Sequence, residues 1–208
     1  MAENIYNEDI NAKFNKKLQF LILIDKMKSV YRQTLLADKS RRETDAEHSW
    51  HIALMAMLFS EFAPEGVDRE RVIKMCLVHD LVEIHAGDTF CYDKKAGEDK
   101  KEREMRAAEK LFSVLPEDDG KELKKLWFEF EEQETPDAVF SASLDRFQPL
   151  INNFLTDGHT WKKGKVVRPQ VEERAALIKK GLPIAWETVQ KILDDAEGKG
   201  FFEHNQKN

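Results

Sequence analysis

The most apolar segment of the chain reads VIKMCLVHDL at residues 72–81. Apolar side chains fill nearly every position of it, so a helix here would be buried on most of its sides. Asp68 is placed to cap the start of this helix, and Gly87 is placed to break it. The segment therefore predicts a helix from Asp68 to about Ile84, and we expect it to be the central helix of the fold.

Outside this segment, apolar residues recur at helical spacing along most of the chain. The pattern predicts further helices over 10–31, 46–62, 98–115, 119–134, 136–154, 171–178 and 183–196. Alternating apolar runs closed by tight turns are missing, so we expect little β structure. The sequence contains no linker and no internal repeat. It predicts a single all-α domain over 1–208, with a core at about 16–195 and a frayed tail at 197–208.

Two groups of apolar side chains in these helices raise the question of what covers them. The first shares one face of the helix over 46–62 and is expected to pack against the core. It comprises Trp50, Ala53, Leu54, Met57, Leu58 and Phe62. The second comprises Trp127, Phe128 and Phe130. For this group two interpretations stay open, burial in the core or the contact surface of a homodimer.

The composition argues against several classes of protein. The 208 residues include 33 Lys and Arg against 39 Asp and Glu, a formal net charge of −6, which disfavours binding to nucleic acid. The apolar run over 18–24 is too short to span a bilayer, and the acidic, polar N-terminus does not look like a signal peptide. Cys76 and Cys91 form no zinc-binding pattern. These features predict a cytoplasmic protein that is not bound to a membrane.

Asp80 is the residue of the central helix that most needs a partner. An ionised carboxylate among aliphatic side chains is costly unless a cation compensates its charge. His79 precedes it, and adjacent helical residues point about 100° apart, so both can reach only an ion close to the helix. His48 and Asp145, on two other predicted helices, would complete a shell of two imidazoles and two carboxylates.

A mixed nitrogen and oxygen shell suits one divalent ion such as Mn²⁺, Fe²⁺, Co²⁺, Ni²⁺ or Zn²⁺, and it tolerates Mg²⁺. Four protein ligands on an octahedral ion leave two positions for water and a substrate oxygen, as metal-assisted hydrolysis requires. Taken one at a time, the same residues also fit structural roles. The pair of His79 and Asp80 would then be hydrogen-bonded, and Asp145 would pair with Arg146 or a lysine.

Three stretches carry a resemblance to a known family. They are AEHSWHIALMAMLF at 46–59, LVHDLVEIHAGDTF at 77–90 and LDRFQPL at 144–150. In this order they resemble the HD superfamily of metal-dependent phosphohydrolases, in the branch of bacterial 5′-deoxynucleotidases and the HD domain-containing protein 2 family. The resemblance spans about residues 16–195. It implies an orthogonal helical bundle around a single divalent metal, with ligands at His48, His79, Asp80 and Asp145.

Two further acidic residues follow the His-Asp doublet. Glu83 lies three residues after Asp80 and four after His79, which predicts a shared helix face and a role as proton shuttle. Asp88 follows Gly87 at a position that, in the resembled enzymes, helps to orient water and substrate. The alternatives are a surface carboxylate paired with a lysine for Glu83 and a plain turn residue for Asp88.

Three arginines are candidates for binding the substrate phosphate, because a guanidinium pairs with two phosphate oxygens at once. Arg41 falls where the family carries an arginine, and Arg42 adjoins it. Arg32 falls where deoxynucleotidases place an arginine for substrate selection, although Gln33 here replaces the tryptophan that follows it in them. Solvated loop arginines are the alternative for Arg41 and Arg42. His51 is interpreted either as a support for the metal ligands or as a core histidine.

The resemblance implies a phosphomonoesterase that hydrolyses 5′-(deoxy)nucleoside monophosphates to nucleoside and phosphate. Its partner would be a small phosphoester, with no nucleic acid or membrane involved, and relatives often form homodimers. Alternatives are a phosphodiesterase or nucleoside triphosphatase of the same superfamily, or a metal-binding regulatory domain without turnover. The sequence offers no second set of histidines for another metal, which favours the monoesterase. Glu83 and Asp88 argue against a domain without turnover, because such a domain needs only the ligands.

Overall fold

The computed structural model describes residues 11–93 and 98–203. The first part of the described chain contains helices followed by two short strands. Helix α1 (Ala12–Ile24) passes into a 3-10 helix (Asp25–Ser29), and strands β1 (Tyr31–Leu35) and β2 (Arg42–Thr44) form an antiparallel pair. The single helix predicted over 10–31 is therefore too long. The cause is the pairing of β1 with a segment seven residues further on, which helical periodicity does not detect.

The rest of the described chain is almost entirely helical, as the sequence predicts. Two short 3-10 turns, Ser60–Phe62 and Pro183–Ala185, extend or join helices. Within the described ranges, none of the helices is both long and apolar enough to cross a membrane. The helices are α2 (Asp45–Phe59), α3 (Arg69–Val78), α4 (Glu83–Ala86), α5 (Lys100–Phe112), α6 (Glu117–Glu132), α7 (Pro136–Leu155), α8 (His159–Lys163), α9 (Arg168–Ala175), α10 (Ile178–Gly181) and α11 (Trp186–Gly198).

Helix α3 lies at the centre of the bundle, as its composition predicts. It contacts α2, α6 and α7, and the side chains of Val72, Met75 and Cys76 are fully buried. However, α3 ends at Val78 instead of continuing to Ile84. The next amides bond three residues back, Leu81 to the Val78 carbonyl and Glu83 to the Asp80 carbonyl, at 3.1 and 2.9 Å. This tighter winding separates α3 from α4 at the His-Asp doublet.

The face of α2 that the sequence assigns to the core is mostly exposed. Trp50 and Leu58 are each 63% exposed, whereas Ile52 and Ala56 on the other side of the helix are fully buried. Of the predicted set, only Ala53 is buried. The prediction fails because α2 is apolar nearly all round, so its pattern cannot say which side faces the core. In α6 the outcome is mixed, since Trp127 and Phe130 are buried and Phe128 is 38% exposed.

The chain after α11 packs against the body of the protein. The amide of Phe201 bonds to the Ala196 carbonyl and the amide of Glu203 to the Val166 carbonyl, both at 2.9 Å. Phe201 and Phe202 are buried, and the Phe202 ring lies 4.9 Å from that of Trp161. The frayed tail predicted over 197–208 is thus wrong for residues 197–203. Residues 204–208 lie outside the described chain.

Candidate metal centre

A capping box fixes the start of α2 and, with it, the position of His48. The Thr44 hydroxyl accepts a hydrogen bond from the Glu47 amide, and the Glu47 carboxylate accepts one from the Thr44 amide at 2.9 Å. This reciprocal arrangement satisfies two amides that the first turn of a helix would otherwise leave free. The cap of α2 is therefore Thr44, and His48 projects inward from the first turn.

The four predicted ligands meet at one point between α2, α3 and α7. His48 Nε2 lies 3.0 Å from Asp145 Oδ1, and His79 Nε2 lies 3.0 Å from Asp80 Oδ2. The two pairs also approach each other, since His79 Nε2 is 3.7 Å from Asp145 Oδ1. The side chains of His48 and His79 are fully or almost fully buried, and those of Asp80 and Asp145 are 12% and 14% exposed. The structure therefore brings together residues that lie up to 97 positions apart in the sequence.

The outer nitrogen of each imidazole is held by a hydrogen bond. His48 Nδ1 lies 3.0 Å from Gln148 Oε1, and the Gln148 amide donates to Glu43 Oε1 at 2.7 Å. His79 Nδ1 lies 2.9 Å from the Cys76 carbonyl. In the neutral imidazoles each outer nitrogen carries the proton, which leaves the Nε2 lone pairs directed at the shared centre. Metal-binding histidines are commonly held in this way.

The donor set fits a divalent ion better than it fits a structural pair. The buried Nε2 of His79 makes no hydrogen bond to any described residue, although Asp80 is close to it. Burial, and then the charge of Arg32, lowers the pKa of His48, which favours the neutral imidazole that binds metals. Burial also acts to lower the pKa of His79, but Asp80 and Asp145 raise it to about 10. Two imidazole nitrogens among carboxylate oxygens match the ligand preference of the transition metals.

Arg32 extends from β1 across the same centre. Its Nη1 donates to Asp80 Oδ2 at 2.6 Å and lies 3.6 Å from Asp45 Oδ1, and its Nη2 lies 3.9 Å from Asp145 Oδ1. The guanidinium is thus engaged by the carboxylates around it. Arg32 is the arginine, of the three that the sequence suggests, that reaches the centre.

Glu83 belongs to a second group of carboxylates, which shares Asp80 with the four predicted ligands. Oxygens of Glu83, Asp80 and Asp45 lie within 4.8 Å of one another. Burial, and then the charges of Asp80 and Asp45, raises the pKa of Glu83 well above its usual value. Burial, and then Asp80, raises the pKa of Asp45 to about 7. Burial and the neighbouring carboxylates therefore favour the protonated form of Glu83, which can deliver its proton to a neighbouring oxygen.

A cleft of about 300 Å³ opens onto this centre. One part of its wall is acidic and includes Glu83 and Asp88, and burial raises the pKa of Asp88. Another part is formed by Phe90, Tyr92 and Trp161. A small polar molecule with one flat ring would fit a cleft of this volume and lining.

Arg41 and Arg42 do not line this cleft. Arg41 pairs with the Glu47 carboxylate, to which its Nη1 donates at 2.8 Å. Arg42 donates to the carbonyls of Tyr31 and Arg32, so it ties β2 to the strand that carries Arg32. Neither guanidinium therefore faces the centre at which the four ligands meet.

A model of the HD domain matches residues 24–186 of the chain. The chain belongs to the HD domain family. The crystal structure of a "predicted metal-dependent phosphohydrolase" from Magnetospirillum magnetotacticum MS-1 is 46% identical, with a TM-score of 0.89, and the match covers 93% of this chain and 97% of that one. The resemblance inferred from the three sequence stretches is confirmed, and so is the helical bundle.

Curated relatives of this HD domain include 5′-deoxynucleotidase HDDC2 of Homo sapiens and of Xenopus laevis. The human protein is 33% identical over 64% of this chain and 65% of its own length. The frog protein is 29% identical over 77% of this chain and 85% of its own length. The chain thus spans slightly less than two thirds of the human relative.

Several residues of the HD domain site escaped the sequence analysis. Gln148 follows Asp145 by three positions, a spacing that places both on one helix face and could have suggested a supporting role. Glu43, Asp45 and Arg174 left no such signal. Asp45 looks like an ordinary acidic residue in the first turn of a helix, where the helix dipole favours it.

Proposed function

We propose that this HD domain is a metal-dependent phosphomonoesterase that hydrolyses 5′-(deoxy)nucleoside monophosphates to nucleoside and phosphate. The observation that carries the proposal is the convergence of His48, His79, Asp80 and Asp145 at the floor of a cleft. The human and frog relatives named 5′-deoxynucleotidase support the choice of substrate. We also place the protein in the cytoplasm as part of this proposal.

The four converging residues would hold one divalent ion, which we expect to be Mn²⁺, Co²⁺, Fe²⁺, Ni²⁺, Zn²⁺ or Mg²⁺. When bound, such an ion lowers the pKa of a water molecule and polarises a phosphoryl oxygen. Gln148 and the Cys76 carbonyl would keep both imidazoles turned toward it. We expect a single ion, since the histidines among the described residues that face the centre are His48 and His79.

Proton transfer would be carried out by Glu83, which is buried beside the centre and whose pKa is raised by burial, Asp80 and Asp45. It would donate its proton to the 5′-oxygen as the phosphate ester breaks, and then receive one from water. Asp88, on the same acidic part of the wall as Glu83, would orient the water, and Arg32 would orient the phosphate. A regulatory domain without turnover would have no use for a buried carboxyl with a raised pKa at Glu83, so this alternative is less well supported.

Phosphate release from a panel of substrates tests the proposal. We expect the highest kcat/KM for dAMP and other 5′-dNMPs, a lower one for AMP, and little release from 3′-AMP or dATP. Asp80→Asn should lose both the metal and the activity, while Asp195→Asn, on the far helix α11, should keep both. If kcat/KM for dATP or a cyclic dinucleotide were tenfold higher than for dAMP, the monoesterase proposal would be wrong and one of the alternative activities would apply.

We further propose that the chain forms a homodimer through the exposed apolar face of α2. This face carries Trp50, Met57 and Leu58, each more than half exposed, and monomers seldom expose so large an apolar group. Most soluble oligomers are homo-oligomers, so the partner that we propose is a second copy of the chain. Sedimentation equilibrium should show a dimer for the wild type and a monomer for Met57→Glu, and a monomeric wild type would contradict the proposal.

A further inference from the structure

The cleft contains a basic side chain that neither the sequence analysis nor the metal centre uses. Among the described residues that line the cleft, the cationic ones are Arg32, Lys100, Arg146 and Arg174. A phosphate dianion entering this acidic cleft needs positive charge that is not already neutralised. The contacts of the four cations decide which of them can supply it.

Three of the four are engaged by other groups. Arg32 donates to Asp80 at 2.6 Å, and Lys100 lies 3.3 Å from the Glu104 carboxylate. Arg146 donates to the side chain of Gln133 at 2.8 Å and to a backbone carbonyl of α9 at 3.2 Å. Each of these cations would have to give up a partner in order to bind an incoming anion.

Arg174 differs from the other three. Its guanidinium makes no hydrogen bond to the residues that the structure describes, and the nearest carboxylate oxygen, Oδ2 of Asp145, is 3.8 Å away. The side chain is about a third exposed, and the part that is exposed faces the cleft. Arg174 therefore has hydrogen-bond donors to offer to a ligand beside the metal centre.

The helix that carries Arg174 is firmly held. Val171 and Ala175 of α9 are buried in the core, and Arg168 at its start donates to Asp194 and Glu197 of α11 at 2.6 and 2.5 Å. A guanidinium on a fixed helix loses less entropy on binding than one on a loop. The fixed helix also keeps Arg174 beside one carboxylate oxygen of Asp145, while Nη2 of Arg32 lies 3.9 Å from the other oxygen.

We propose that Arg174 is a substrate-binding residue whose guanidinium donates two hydrogen bonds to the phosphate. The inference rests on the proposed function, because it takes a phosphate monoester as the ligand of this cleft. A guanidinium matches two phosphate oxygens at once, and such charge-assisted bonds are among the strongest in proteins. Arg174 and Arg32 would then hold the phosphate from two sides of Asp145.

The test measures binding of two ligands by calorimetry, inorganic phosphate and deoxyadenosine, to metal-loaded protein. Arg174→Gln should bind phosphate about tenfold to a hundredfold more weakly, the loss expected for a charge-assisted hydrogen bond. The phosphate affinity of Arg174→Lys should lie between that of Arg174→Gln and that of the wild type. Deoxyadenosine affinity and metal content should not change. Arg106→Gln removes an exposed arginine of α5 and should leave both affinities unchanged.

Phosphate affinity of Arg174→Gln within threefold of wild type would overturn the inference. An equal loss of phosphate and deoxyadenosine affinity would also overturn it, since it would show that Arg174 only shapes the cleft. Undetectable phosphate binding by the wild-type protein would have the same consequence. If phosphate binding depends on Arg174 but no nucleotide is hydrolysed, the phosphate site stands and the proposed function fails.

Discussion

His48 Nε2 and Asp145 Oδ1 lie 3.0 Å apart, although the two residues are 97 positions apart in the chain. The same helix that supplies Asp145 also supplies Gln148, whose amide oxygen lies 3.0 Å from the other nitrogen of His48. One turn of α7 therefore provides Asp145, a predicted metal ligand, and Gln148, the side chain that orients the predicted ligand His48. Two acceptors as close as Nε2 and Oδ1 require a proton or a cation between them.

Loss of the Gln148 amide should weaken metal binding without removing a ligand. In Gln148→Leu the His48 ring loses the acceptor that fixes its tautomer, and we expect metal affinity to fall about 10-fold to 100-fold. Competition with a chelator of known affinity measures this change. Gln19→Leu, on the exposed side of α1, serves as the control. Equal affinities for Gln148→Leu and wild type would show that His48 needs no such support.

Removal of the titrating group of Glu83 should slow the reaction and leave the metal bound. Glu83→Gln keeps the size of the side chain, and we expect kcat to fall by about 10² to 10⁴. Elemental analysis and steady-state kinetics on the same sample separate the two effects. Glu122→Gln, on the surface of α6, should behave as wild type. A fall in kcat below about threefold would exclude Glu83 as the proton shuttle.

Metal binding should release a proton and strengthen as the pH rises. The pKa of His79 in the metal-free protein, about 10, lies above the unfolded value of about 6.5. Its proton therefore stabilises the metal-free fold fully below about pH 6.5, and this contribution is lost as the pH rises through about 10. A ligand nitrogen must be unprotonated, so metal affinity should increase up to about tenfold per pH unit across the neutral range.

Calorimetry of metal binding in buffers of different ionisation enthalpy counts the released protons directly. We expect a release near one proton per ion for the wild type at neutral pH. A metal affinity that stays constant between about pH 6.5 and 8.5 would show that His79 does not carry the displaced proton.

The chain end after α11 should contribute measurably to stability. Phe202 is 9% exposed and packs against Trp161, so Phe202→Ala should lower the free energy of unfolding by about 3 kcal/mol or more. Phe128→Ala, at a site that is 38% exposed, should cost clearly less. Unfolding in urea measures both values. If Phe202→Ala costs no more than Phe128→Ala, the end of the chain does not pack as described.

Much of the candidate site could be predicted because the predicted ligands lie in short stretches of characteristic sequence. The carboxylate of Asp80, next to His79 in an apolar segment, needs a compensating cation once that segment is buried. The order of the motifs then predicts His48 and Asp145 as further ligands. The central position of α3 follows from local pattern in the same way. Each of these depends on a residue and its near neighbours, whose spacing along a helix is fixed by its geometry.

Other features depend on contacts between segments that are far apart in the chain. The exposed face of α2 could not be predicted, because apolar residues surround that helix and only its packing on α3 and α7 selects the buried side. The placement of Arg174 beside Asp145 and the burial of Phe201 and Phe202 have the same origin. The sequence alone predicted the four candidate metal ligands and most of the helical segments. The tertiary structure decided which cation of the cleft makes no hydrogen bond to a described residue, because such contacts depend on distances that only the packed helices set.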